Sequence, residues 1–147
     1  MKPRVVIASD HGGVDLKVVV KSYLSERGYE VTDLGTDTPT SVDYTDYAHP
    51  LADHVLSHEN TLGILICGTG IGMSLAANRH SGIRAALCTD TYMARMAREH
   101  NDANVLCMGG RVTGPGLAEH IVDMFVTAKF IGGRHQKRIN QLDPPHK

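Results

Sequence analysis

The sequence predicts an α/β fold in a single domain: a doubly wound, five-stranded parallel sheet with helices on both faces and a helical extension at the C-terminus. Three observations carry this expectation. Short apolar runs alternate with stretches of helical spacing along the whole chain. The run Leu62–Cys67 holds no polar residue, as expected of a strand covered on both faces. The carboxyl ends of the apolar runs gather glycines and polar residues, and sheets of this kind bind ligands there.

Arg4–Ala8 reads as the first strand, running into Ser9-Asp10-His11-Gly12-Gly13. Val14–Glu26 follows as a helix, with Leu16, Val19, Val20, Tyr23 and Leu24 at helical spacing and Gly28 as its stop. Glu30–Leu34 is a second strand, leading into Gly35-Thr36. Asp46–Ser57 repeats Tyr47, Leu51, His54 and Val55 on one helical face. Leu62–Cys67 is the third strand and opens into Gly68-Thr69-Gly70-Ile71-Gly72, after which Met73–Asn78 reads as helix. Arg84–Cys88 and Val105–Met108 are two more strands, with a helix, Thr91–His100, between them. The last strand leads to Gly109-Gly110-Arg111. The breaker Gly114-Pro115-Gly116 precedes a helix at Leu117–Thr127. After Gly132-Gly133, a final helix runs over Arg134–Leu142, and Asp143-Pro144-Pro145 ends it. No repeat or linker divides the chain, so residues 1–147 read as one Rossmann-like domain, with 134–143 as a helix able to reach a partner.

Composition excludes several classes of function. The 147 residues suit one domain with a sizeable core, and 41% of them are apolar. Fifteen basic against 16 acidic residues, a formal net charge of −1, leave no field for nucleic acid or for an anionic membrane. The apolar run Val5–Ala8 is too short for a signal peptide or a spanning helix, and a cytoplasmic protein is expected. Three cysteines at wide spacing fit neither a disulfide framework nor a zinc template. Cys88 and Cys107 fall in apolar strands and read as packing residues, whereas Cys67 stands at a strand end.

The Cys67 loop is the strongest chemical signal. Its glycines allow backbone N–H groups to turn towards a bound oxygen. Familiar alternatives fail on spacing. A dinucleotide fingerprint needs G-x-G-x-x-G after the first strand, where this chain has Asp10-His11-Gly12-Gly13. A P-loop needs a lysine that Gly72-Met73-Ser74 lacks, and a cysteine phosphatase needs an arginine where Met73 stands. A plain strand–helix turn remains an alternative. Other candidates also read two ways. Asp10 suits a helix N-cap with His11 facing solvent, and His100-Asn101 suits a helix C-terminus. Arg134 and Arg138 share a helix face and fit either a phosphate grip or a solvated surface. His54 and His58 share a face without a third ligand nearby and read as a surface pair.

The order of these segments is more telling than any one of them. Asp10-His11-Gly12-Gly13, Asp43-Tyr44, the stretch Cys67–Asn78, the stretch Arg98–Val105 and Gly132-Gly133-Arg134-His135-Gln136-Lys137-Arg138 together resemble ribose-5-phosphate isomerase type B. That family also holds the galactose-6-phosphate isomerase subunits. The similarity runs from Val5 to about Leu142.

The resemblance implies an enzyme that interconverts ribose 5-phosphate and ribulose 5-phosphate through an enediolate, with Cys67 as base and no metal or other cofactor. It implies that Thr69 and the amides around Gly68, Gly70, Ile71 and Gly72 stabilise the enediolate, with help from Asn101. His100 would open the sugar ring, and Asp10 would hold substrate hydroxyls and relay protons. His11, Arg134 and Arg138, with Arg111, would clamp the phosphate, and Tyr44 would contact the substrate. A subgroup of the family carries a glutamate base near position 73; the pairing of Cys67 with Met73 resembles the thiol subgroup. The resemblance further implies a homodimer or dimer of dimers with sites at the subunit interface. A hexose-6-phosphate isomerase acting on allose or galactose phosphates, and a phosphosugar-binding regulator without catalysis, are the alternative readings.

Overall fold

A computed structural model describes residues 1–145. Five strands form one parallel sheet: β1 (Arg4–Ser9), β2 (Val31–Asp33), β3 (Thr61–Cys67), β4 (Ala85–Leu87) and β5 (Val105–Gly109), in the order β2-β1-β3-β5-β4. Six α-helices connect and extend them: α1 (Val14–Glu26), α2 (Thr45–Ser57), α3 (Ile71–Ala77), α4 (Thr91–Glu99), α5 (Pro115–Thr127) and α6 (Arg134–Ile139). The expected five-stranded, doubly wound architecture is what the chain adopts.

The two faces of the sheet bury separate cores. Val5, Ile7, Ile64, Ile66, Leu106 and Met108 point to one face, under α1, α4 and α5. Val6, Ala8, Leu65, Cys67, Val105 and Cys107 point to the other, under α2 and α3. This alternation follows from the two-residue period of a strand, and β3 is buried at all seven positions because both faces are covered. Gly63 lets α2 sit close, since a Cβ there would lie 2.6 Å from Leu51 Cδ2.

Several boundaries differ from expectation. β2 and β4 are only three residues long, as befits edge strands with a partner on one side. α5 begins at Pro115, because proline is tolerated at a first helical position where the N–H would be unpaired anyway. α3 begins at Ile71, so Ile71 and Gly72 are the first residues of the helix rather than loop. α6 stops at Ile139, three residues short of Leu142. A single 3₁₀ turn, His11–Gly13, joins β1 to α1.

The topology places the site. From β1 the chain moves one way to β2, then returns to lay β3 on the other side of β1. The carboxyl ends of β1 and β3 therefore flank a topological switch point, where sheets of this kind bind ligands. β4 lies at the sheet edge, and α4 carries the chain back to the amino end, where β5 starts with Val105 level with Gly63.

Candidate active site

Three loops meet at the carboxyl end of the sheet, packed backbone against backbone. Asp10 N–H donates to Ile66 O (3.1 Å), Gly110 N–H to Cys67 O (2.8 Å) and Arg111 N–H to Gly68 O (3.0 Å). Glycines make this approach possible. A Cβ on Gly13 would lie 2.5 Å from Ile66 O, and one on Gly109 would lie 2.7 Å from both Thr69 Cα and its carbonyl carbon. A Cβ on Gly110 would strike Gly12 O, and one on Gly72 would strike the ring of Tyr44. Tyr44 thus lies directly on the first turn of α3.

Cys67 sits at the base of this arrangement, 6% exposed. Its Sγ accepts the Gly70 N–H at 3.0 Å. Gly70 has φ +84°, a left-handed conformation that turns its amide back to the sulfur and is natural for glycine. Ile71 N–H donates to Thr69 Oγ1 at 3.2 Å, and Thr69 itself is exposed at the loop tip. This bond fixes the sulfur at the foot of the loop. The other two cysteines differ sharply. Burial, then the neighbouring Asp90, pushes the Cys88 thiol up to about 12, and burial drives Cys107 higher still, so both stay as packing residues. Met73 is fully buried in the core beneath α3.

Asp10 takes the N-cap role. Its Oδ1 accepts the Gly12 N–H at 2.9 Å and caps the 3₁₀ turn, and it is nearly buried at the carboxyl end of β1. His11 Nδ1 accepts the Val42 N–H at 3.1 Å, which leaves the proton of a neutral ring on Nε2 and ties His11 to the 36–42 segment. Arg111 is exposed and lies along Gly68, where a Cβ would meet its guanidinium Nη1 at 3.4 Å.

The remaining candidates lie elsewhere. His100 caps the C-terminus of α4, and Asp102, at φ +44°, makes the turn that follows. Because α4 returns the chain to the amino end of the sheet, this corner is roughly 15 Å from the Cys67 loop, about the length of β5 at some 3.3 Å per residue. Arg84 holds the corner, with Nε donating to Asn101 O at 3.2 Å and to Asp102 O at 2.9 Å. His100, Asn101, His135 and Arg138 line a cavity of about 200 Å³ there, with Arg134 on the same short helix α6. The candidates of one chain therefore fall into two clusters: Asp10, His11, Tyr44, Cys67, Thr69 and Arg111 in one, His100, Asn101, Arg134 and Arg138 in the other. A groove of about 740 Å³ opens between the N-terminus and the end of α2 and touches neither Cys67 nor His100.

Two further residues were not evident as site candidates. Lys17 is 1% exposed, and its ammonium donates to Asp33 Oδ1 (2.8 Å), Thr36 O (2.6 Å) and Asp37 Oδ1 (3.2 Å). Burial opposes the charge on Asp33, but hydrogen bonds from Lys17 and Lys21 outweigh it and hold that carboxyl below the usual carboxylate range. Lys17 so anchors the start of the segment whose end His11 holds. A sequence signal existed, since Lys17, Val20 and Leu24 fall on one helical stripe. His135 is the second, buried against His100.

His54 and His58 stack at 4.0 Å on the surface of α2. Among the described residues, no group of three or more His, Cys, Asp or Glu side chains is placed to hold a metal ion, and no helix is long and apolar enough to cross a membrane.

The family model for Ribose/Galactose Isomerase matches residues 5–142. The chain belongs to this family. It is 46% identical over 139 residues to ribose-5-phosphate isomerase B of Escherichia coli, covering 95% of this chain and 93% of that one. A ribose 5-phosphate isomerase of Thermotoga maritima superposes with a TM-score of 0.94 at 53% identity, over 96% of this chain and 97% of that one. Ribose-5-phosphate isomerase B of Mycoplasma genitalium, solved with bound ribulose-5-phosphate, superposes with a TM-score of 0.90 at 42% identity, over 95% and 93% of the two chains. The resemblance to type B ribose-5-phosphate isomerases, stated on the segments from Asp10 to Arg138, is borne out, as is the expectation of a sugar-phosphate isomerase.

Proposed function

We propose that the protein interconverts ribose 5-phosphate and ribulose 5-phosphate, with Cys67 as the base and without a metal. The Gly70 N–H on Cys67 Sγ supports this reading most directly. A sulfur held by a loop amide suits proton transfer from the carbon beside the substrate carbonyl. The proton leaves carbon and goes to sulfur, the electron pair forms the carbon–carbon double bond, and charge grows on the carbonyl oxygen. Thr69 and the amides of the Gly68–Gly72 loop are the donors for that oxygen. Returning the proton to the neighbouring carbon, while the proton of the O2 hydroxyl passes to O1 by way of Asp10, completes the exchange of aldose and ketose. Asp10 is assigned the substrate hydroxyls, His100 the opening of the ring, and His11 and Arg111 the phosphate.

A second copy of the chain would supply the other half-site. The placement of His100, Asn101, Arg134 and Arg138 at the opposite end of the sheet from Cys67 supports a homodimer or a dimer of dimers with shared sites. Ile71 and Leu75 on α3 and Tyr92 and Met93 on α4 are exposed apolar residues that such a contact would cover. The cytoplasm is the proposed compartment, and the whole chain is proposed as one catalytic domain.

The test is turnover of ribose 5-phosphate in EDTA by the wild-type chain and by Cys67→Ala. Wild-type turnover and a loss on the order of 10³-fold or more in the variant, with substrate still bound, is the expected result. Full activity in Cys67→Ala would remove the thiol from the mechanism, and tight binding without wild-type turnover would favour a regulator. Comparing kcat/KM on ribose, allose and galactose phosphates separates pentose from hexose substrates.

A further inference from the structure

The rings of His100 and His135 stack nearly parallel, with centroids 4.3 Å apart and planes at 13°. His135 is the one buried residue of α6, 7% exposed, although its helix is otherwise on the surface. A histidine is seldom buried on a short surface helix without a partner. The backbone is bent to bring it there. Gly132 and Gly133 have φ of +75° and +59°, and Ile131 N–H donates to Glu99 O at 3.0 Å, one residue before His100. Among the described residues neither ring makes a hydrogen bond to another protein group, so the stack is what sets the plane of His100.

We propose that His135 is a positioning residue whose ring holds His100 in the plane from which it delivers a proton to the ring oxygen of a cyclic sugar phosphate, as the bond from that oxygen to C1 breaks and the C1 hydroxyl gives its proton to water. The proposal rests on the reading of His100 as the ring-opening residue. The charged groups facing His135 are His100 from α4 and Arg134 and Arg138 from its own helix. Burial first, and then these three, hold His135 below the ordinary histidine value of 6.5. A neighbour of fixed orientation thus holds the His100 ring in place.

The chemistry of the two substrates separates this role from simple support of α6. Ribose 5-phosphate closes into a ring through its C4 hydroxyl and must be opened. Ribulose 5-phosphate cannot close through C5, which is esterified, and enters as an open chain. The experiment measures kcat and KM on ribose 5-phosphate, and the exchange of the C1 hydrogen of ribulose 5-phosphate with deuterated solvent by NMR, for His135→Ala, His135→Phe and His100→Ala. In His135→Ala, kcat on ribose 5-phosphate should fall about tenfold with little change in KM, while C1 exchange stays within about twofold of wild type. His135→Phe, which keeps an aromatic face, should recover to within about threefold. Equal loss of both reactions in His135→Ala, a rise in KM alone, or wild-type turnover would each overturn the proposal. Normal ribose turnover in His100→Ala would instead sink the ring-opening assignment itself, so the two failures are distinguishable. Should His135→Ala fail to fold, His135→Phe with near-abolished turnover and native circular dichroism also overturns it.

Discussion

The corner around Cys67 and the corner around His100 are built on opposite principles. The first stands on three central strands and is closed by backbone contacts that no side chain could enter, at Gly13, Gly109 and Gly110. The second hangs on the end of α4 and on a six-residue helix, held by the ring stack, the Ile131–Glu99 backbone hydrogen bond and the bonds from Arg84 to Asn101 O and Asp102 O. Chemistry that needs donors fixed around a sulfur is placed where the protein is densest. Under the two-copy reading, groups that reach a ligand in a neighbouring chain hang on the end of a helix and on a short surface helix.

The sharpest way to break this contrast is to press on the dense corner. Gly109→Ala would drive a methyl group into the backbone of Gly68 and Thr69, which have no room to yield. Overpacking of this kind costs about 1–3 kcal/mol, and a displaced catalytic loop costs on the order of 10²-fold in kcat. Urea midpoints and steady-state rates should show both losses.

The second perturbation leaves packing alone. A Cβ at Gly133 meets nothing within 4 Å, yet its φ of +59° with ψ −131° is a conformation side chains resist. Gly133→Ala should therefore strain only the approach to α6, at about 1–3 kcal/mol. The expected outcome is a KM for sugar phosphate raised roughly tenfold, with kcat changed less, because the arginines of α6 move while the Cys67 loop does not. Equal damage to kcat would show that the corners are not independent.

The smallest effect is one of pH. His135 binds its proton less readily folded than unfolded, so its contribution is present at neutral pH and is lost as pH falls below the ordinary value of 6.5. Hydrogen exchange between pH 7.5 and 5.5, corrected for intrinsic rates, should show protection falling in α6 but not in β1 or β3. His135→Phe should abolish that pH dependence.

The same contrast explains what the sequence revealed. The Cys67 corner was legible because its demands are local: an unbroken apolar strand, a polar end, and glycines wherever backbones touch. The edge strands were overrun by one or two residues because only one neighbour enforces their length. The helical starts at Ile71 and Pro115 were read as loop because glycine and proline there serve the first turn rather than break it. Lys17 was missed because its partners Asp33, Thr36 and Asp37 lie across a strand and no spacing links them. His135 stood in plain view between two arginines, but its value depends on a ring 35 positions earlier, which only the folded chain supplies.

The place of α4, running back from the edge strand, has a genetic consequence under the two-copy reading. Cys67 and His100 of one chain serve different sites. In a mixed pair, a chain lacking one and a chain lacking the other leave one site with both lesions and one with neither. Two alleles, each inactive alone, would complement each other inside a single oligomer.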